Sequence, residues 1–282
     1  MRDERERILM DRHETMTRLF SAPRALVGML HLGALPGTPS AGASLERVIE
    51  TAVAEARVYR EAGFHALMIE NMHDRPYLKG AAGPEIVAAM TAAGREVRRE
   101  VPLPLGVQIL SAANREALAV AHACGGSFVR VEGFMFAHVA DEGLIEACAG
   151  ELLRYRRAIG AEHVRVFADV KKKHSSHAIT ADVDLVETAR AAEFFLADGV
   201  IVTGTVTGHA ADTSEVEAVA NGVTIPVLVG SGVTPANLAA YPKADGFIVG
   251  SSVKQGGVWS NRLDRERVQA MARAFRELER RG

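Results

Sequence analysis

Two glycine–serine turns lie near the C-terminus, "VLVGSG" (Val227 to Gly232) and "FIVGSS" (Phe247 to Ser252). In each, a short apolar run leads straight into Gly-Ser. Glycine lets the backbone come close to a ligand, and the turn leaves N–H groups to hold an anion. Gly230, Ser231, Gly232, Gly250, Ser251 and Ser252 are therefore candidate phosphate-binding residues. The competing reading is tight strand-to-helix packing, which also uses glycine.

A second group carries titratable chemistry. In "ADVKKKH" (168–174), Asp169 and Lys171 are two apart and share a side if the strand continues. A carboxylate beside a cation can hold a proton, a phosphate or a carbonyl, and a lysine of lowered pKa can form a Schiff base. Lys173 and His174 extend the cluster. The plainer alternative is a salt bridge at a strand end, with Lys172 and Lys173 in solvent. Glu70, followed by Asn71, suits a general base or a metal ligand. Asp74 reads as part of the same site or as a cap of the turn before Pro76. His31 closes another apolar run. Arg130 and Glu132, two apart, face one way, as an interior ion pair or as substrate contacts. Gln108 and Asn114 follow at the third run. Gly204 and Thr205 open "TGTVTGHAADT" (203–213), whose glycines and hydroxyls could complete an anion nest or form a lid. His31, Glu70, Asp74, Asp169, His174 and His177 together could hold a divalent cation. No local metal motif such as HExxH is present, and no other cofactor is indicated.

The elements that must position these groups alternate. Eight apolar, β-rich runs are read as strands: 25–32, 66–71, 104–110, 127–133, 164–170, 199–204, 226–232 and 246–252. Most are apolar nearly throughout, as strands buried on both faces should be. Helical patterns span 45–61, 84–99, 114–123, 143–159, 182–195, 214–220, a short piece from Pro235, and 264–280. Eight strands each followed by a helix predict a single (β/α)₈ barrel, class α/β. An open doubly wound sheet is the competitor, but eight consecutive units exceed its usual need. Residues 1–22 are read as a helical extension that plugs the barrel bottom or packs on a partner subunit, and residues 23–282 as the barrel. Long loops follow strands two, four, five and six, on the face where such barrels do chemistry.

Bulk properties narrow the class. The 282 residues fit one barrel, for which about 250 is typical. A net charge of −2 gives no electrostatic reason to expect nucleic acid or an anionic membrane as partner. No apolar run reaches the roughly 18 residues of a membrane span. The N-terminus lacks the apolar centre of a signal peptide. Two cysteines, Cys124 and Cys148, in helical patterns suit a reducing cytoplasm rather than a disulfide framework. Leu, Met and Phe within the charged N-terminal helix suggest a homo-oligomer.

Nine stretches together resemble the BtpA/SgcQ family over about residues 24–276: "VGMLHLGALPGTP", "ENMHDRPY", "FVRVEGF", "ELLRYRRAIGA", "ADVKKKHSSH", "VTGTVTG", "VLVGSGVTPANL", "ADGFIVGSSVKQGG" and "NRLDRERVQAMARAF". The resemblance implies a barrel similar to the ribulose-phosphate-binding barrels. Cyanobacterial members are linked to photosystem I biogenesis. Enterobacterial ones lie among sugar-metabolism genes and are described as nucleosidases or sugar-phosphate enzymes. The family's histidine falls on His31, its Glu-Asn pair on Glu70 and Asn71, and its next aspartate on Asp74. Its later Asp and Lys-His fall on Asp169, Lys173 and His174. The chain departs from the family at "LSAAN", where "LRN" is usual, leaving Asn114. It departs again at "SSHAIT", where a proline is usual.

The expectation is an enzyme acting on a small phosphorylated sugar or ribosyl compound, with glycosidic cleavage of nucleosidase type first. Glu70, Asp169, Lys171, Lys173 and His174 would supply the chemistry. His31, Asn71, Asp74, Asn114, Arg130, Gly204, Thr205 and the Gly-Ser turns would bind. An isomerase or lyase, a non-catalytic assembly factor and a metal-dependent hydrolase are the alternatives.

Overall fold

The computed structural model describes residues 2–204 and 209–281. Helix α1 (Arg2–Phe20) precedes β1 (Ala25–His31), and the chain then alternates. It runs through α2 (Leu45–Ala62), β2 (Ala66–Glu70), α3 (Pro84–Glu100), β3 (Leu105–Gln108), α4 (Asn114–Cys124) and β4 (Phe128–Val131). A hairpin follows, β5 (His138–Ala140) and β6 (Gly143–Ile145), then α5 (Ala149–Ala158) and β7 (Arg165–Val170). The rest is β8 (Ser175–Ser176), α6 (Leu185–Phe194), β9 (Gly199–Val202), α7 (Thr213–Gly222), β10 (Val227–Val229), β11 (Gly246–Val249) and α8 (Arg265–Arg281). Strands β1, β2, β3, β4, β7, β9, β10 and β11 close into one barrel, all pairs parallel. The expected (β/α)₈ barrel is the observed fold.

Local chemistry sets the boundaries. Ser44 caps α2 by accepting from Arg47 N, and Gly63 ends that helix at φ 90°, a left-handed conformation open to glycine. Asp184 and Asp212 cap α6 and α7 in the same way.

Two differences from the expected elements matter. The single helix expected over 143–159 splits: Gly143–Ile145 is β6, and the helix begins only at Ala149. Val139 and Leu144 are exposed, so this stretch never formed one apolar helix face. Together β6, β5 and β8, from the segments after β4 and β7, make a three-stranded sheet. The helix expected from Pro235 is only a 3₁₀ turn, Leu238–Ala240.

Strand alternation divides the core in two. Odd residues of β1, such as Val27 and Met29, face the barrel interior with Ala66, Met68, Phe128, Phe167, Ile201, Leu228 and Ile248. Leu26, Leu30, Leu67, Ile69 and Val107 face outward against the helices. Two large interior rings need space. A Cβ on Gly106 would meet the Phe128 ring at 2.4 Å, and one on Gly199 the Phe167 ring at 2.4 Å. Gly106→Ala and Gly199→Ala are each expected to destabilise by about 1–3 kcal/mol through overpacking, read as lowered urea midpoints.

Helix α1 closes the bottom. Met16 and Phe20 are buried in the interior cluster, with Leu19 beside them. Phe20 meets Phe128 edge-on at 5.4 Å. Arg12 ties the helix down, donating to the carbonyls of Ala220 at 2.7 Å and of Val223, and lying 3.7 Å from Asp245. Met16 and Phe20 are thus used inside the barrel. Among the described residues, no helix is long and apolar enough to cross a membrane.

Candidate active site at the barrel mouth

The interior alternation that is apolar at the bottom turns polar at the top. His31 lies in register with Glu70, and Glu70 with Gln108, so three adjacent strands place polar side chains at one level. Above them opens a cavity of about 580 Å³. Its floor includes His31, Glu70, Gln108, Arg130 and Glu132, and its wall Lys172, Lys173 and His174. Both Gly-Ser turns, Gly230–Gly232 and Gly250–Ser252, form another part of the lining.

His31 Nδ1 lies 3.3 Å from the Trp259 carbonyl, which only accepts, so Nδ1 carries the hydrogen. Its Nε2 faces Glu70 Oε2 at 3.4 Å. Burial, aided by the nearby Lys254 charge, pushes the imidazole down to about 3. Burial pushes the Glu70 carboxyl up, against the pull of Arg130 and Lys173. Neutral His31 beside a protonated Glu70 satisfies both directions, with Glu70 donating to Nε2. Between about pH 6.5 and 3 the unfolded histidine binds a proton that the folded one refuses. Its contribution to stability is therefore present above that window and lost as pH falls through it. The His31 ring resonances are expected not to titrate between about pH 5 and 8 in NMR spectra. A midpoint there would place a charged imidazole against Glu70.

Arg130 Nε donates to both oxygens of Asp169, at 3.1 and 3.0 Å, and both side chains are buried. Lys172 Nζ lies 3.1 Å from Glu132 Oε2, in a second buried pair. Glu132 also accepts from Gln108 Nε2 at 3.3 Å and from Ala112 N at 3.0 Å. Lys173 differs. Among the described residues its ammonium makes no ion pair or hydrogen bond. Burial, then Arg130, lowers its pKa, with Glu70 and Asp169 opposing. Its amine is thus a free donor in the cavity wall.

Not every expected residue reaches the cavity. Lys171 is displaced from the mouth: at φ 48° it leaves the strand path, so the two-residue alternation stops at Val170. Lys171 lines a shallow hollow behind with His138 and His177, and Lys172, expected in solvent, takes the inward position. Asn71 and Asp74 brace loops. Asn71 Nδ2 donates to Asp74 Oδ2 at 3.0 Å, Asn71 Oδ1 accepts from Leu110 N at 2.8 Å, and Asp74 Oδ1 accepts from Leu35 N at 2.8 Å. Asn114 grips the Glu132 backbone through both ends of its amide, at 2.7 and 3.3 Å. All three hold the walls rather than line them. Gly204 packs against the His209 carbonyl, where a Cβ would sit at 2.3 Å, and Gly232, at φ 64°, against the same segment at 2.2 Å. These two glycines are thus required by packing. Thr205 lies outside the described residues. Of the set weighed as cation ligands, no three come together among the described residues.

The sequence assigns no role to Gln108 or Lys172 and leaves Glu132 between an interior ion pair and a substrate contact, yet all three line the cavity. Gln108 and Glu132 carried a signal, a polar residue at an inward position of an apolar strand. Trp259 and Arg75 also reach the mouth, with the Arg75 guanidinium 4.9 Å from the centre of the indole ring.

A closed parallel barrel with its cavity at the C-terminal ends of the strands defines a (β/α)₈-barrel protein. The chain belongs to the BtpA family, whose profile matches residues 22–277. A Caenorhabditis elegans protein described as mitochondrial is 47% identical over 271 residues, covering 94% of this chain and 98% of its own. The photosystem I biogenesis protein BtpA of Synechocystis is 34% identical over 265 residues, covering 92% of this chain and 90% of its own. Among solved structures, the chain is similar to (S)-3-O-geranylgeranylglyceryl phosphate synthase from Thermoplasma acidophilum in complex with its substrate sn-glycerol-1-phosphate. The TM-score is 0.58 at 17% identity, covering 94% of this chain and 98% of that one. That likeness speaks to the fold alone.

Proposed function

We propose that this protein is an enzyme acting on a phosphorylated sugar or ribosyl compound, with Glu70 as the general acid in cleavage of a glycosidic bond. The carrying observation is the buried Glu70–His31 contact, 3.4 Å between Oε2 and Nε2, in the floor of a cavity whose lining includes both Gly-Ser turns. A carboxyl held protonated by burial can protonate a leaving group at neutral pH. Backbone turns after the seventh and eighth barrel strands are the usual phosphate grip of this architecture, and the structural neighbour named above holds a glycerol phosphate. Arg130 and Lys173 add positive charge on the way to the phosphate. Free thiols at Cys124 and Cys148 accord with a reducing compartment, and we place the enzyme in the cytoplasm.

The test is a panel of ribosyl and sugar phosphates incubated with purified protein, with release of reducing sugar as the signal. No turnover on any member, together with a stable protein partner in pull-downs, would favour the assembly-factor reading that the Synechocystis relative's name suggests. A second reaction has its own observation, the Lys173 amine, which has no ion pair or hydrogen bond among the described residues. It suits carbonyl chemistry through a Schiff base, as in a lyase. Borohydride trapping with sugar-phosphate ketones, followed by mass mapping to Lys173, decides between them.

A further inference from the structure

Gln108 ends β3 in register with Glu70 and is 2% exposed. Its amide has one permitted orientation. Nε2 donates to Glu132 Oε1 at 3.3 Å, and the Glu132 carboxylate, salt-bridged to Lys172, is an acceptor. Reversing the amide would set oxygen against oxygen. Glu132 cannot move to relieve this, because Lys172, Ser111 and the Ala112 N–H hold its other oxygen. Gln108 Oε1 is therefore fixed. Among the described residues it is a buried acceptor with no donor. The side chain lines the mouth cavity. A buried acceptor left without a donor is costly, and a ligand that donates removes the cost.

We propose that Gln108 is a specificity-determining residue whose Oε1 accepts a hydrogen bond from a hydroxyl on the ligand's sugar. The inference rests on the sugar-phosphate reading above. Its place beside Glu70 selects the sugar over the phosphate. The group that meets Gln108 must lie next to the bond that Glu70 serves, whereas the Gly-Ser turns take the phosphate. A ligand lacking that hydroxyl would bury the acceptor unpaired.

The chain has one tryptophan, Trp259, and it lines the cavity, so its fluorescence reports occupancy. The probes are ribose 5-phosphate, its 2-deoxy and 3-deoxy analogues, and inorganic phosphate. One deoxy analogue is expected to bind about 10- to 100-fold more weakly than ribose 5-phosphate. Gln108→Met should bind ribose 5-phosphate as weakly as that analogue, with inorganic phosphate affinity unchanged. A role confined to folding would shift all probes alike. Equal binding of all three sugars by the wild-type protein overturns the proposal, as does a Gln108→Met variant that still discriminates. If the variant does not fold, the wild-type comparison alone decides. If inorganic phosphate fails to compete while unphosphorylated ribose is still distinguished from its deoxy analogues, the phosphate reading falls and Gln108 keeps its role.

Discussion

Glu70→Gln is expected to lower kcat by about 10²- to 10⁴-fold on whichever phosphorylated sugar the substrate panel identifies, with KM little changed. Glutamine keeps the shape of the side chain and can still donate to His31 Nε2, 3.4 Å away in the wild type. The floor should therefore stay in place, and the thermal midpoint should move little. What is lost is the transferable proton. The pH profile carries the sign. Burial raises the Glu70 pKa, and an acid catalyst works only while protonated. The wild-type rate should be full at low pH and fall as pH rises through that raised value. A rate that instead rises through the same region would make Glu70 a base. Turnover that survives Glu70→Gln but is abolished by Lys173→Met would move the chemistry to the amine.

How far the sequence reveals this site depends on what backbone each residue needs. The eight strands were legible because strands buried on both faces are apolar throughout, and their ends show as polar residues. The same rule brings out His31, Glu70 and Arg130, each at an inward position, and both Gly-Ser turns. The structure gathers all of these around one cavity. The rule fails one residue past Val170. Lys171 takes φ 48°, and a non-glycine residue in that conformation leaves no mark in the sequence. A single residue of lost alternation exchanged Lys171 for Lys172. The hairpin after β4 was missed for a different reason. "ADEG" is a turn signal, but the strands beside it are three residues each, too short for alternation to stand out from a helix. Asn71, Asp74 and Asn114 bind backbone across 18 to 39 residues of sequence, and no local pattern distinguishes such braces from ligand contacts.

Arg130 is where binding and stability meet, and Arg130→Met is expected to cost about 3–5 kcal/mol of unfolding free energy. The reason is what remains. Asp169 has a side chain only 1% exposed, and Arg130 Nε is its fork partner at 3.0 and 3.1 Å. Burial already pushes the Asp169 carboxyl up, and Arg130 is the foremost group opposing it. Without the guanidinium the carboxylate sits buried and uncompensated, so its pKa must rise further. A group whose folded pKa is raised lends its stability below the unfolded value, near 3.8, and loses it as pH climbs. The deficit of Arg130→Met should therefore be small near pH 4 and full at pH 7, measured as urea midpoints at constant m-value. A double change, Arg130→Met with Asp169→Leu, removes both charges and should recover most of the loss. The reverse single change, Asp169→Asn, should cost less, because the Glu132 carboxylate remains to support the arginine charge. A pH-independent deficit that the double variant does not relieve would mean the pair acts through packing alone. In that case the Arg130 cation is not what holds Asp169 in place near the end of β7.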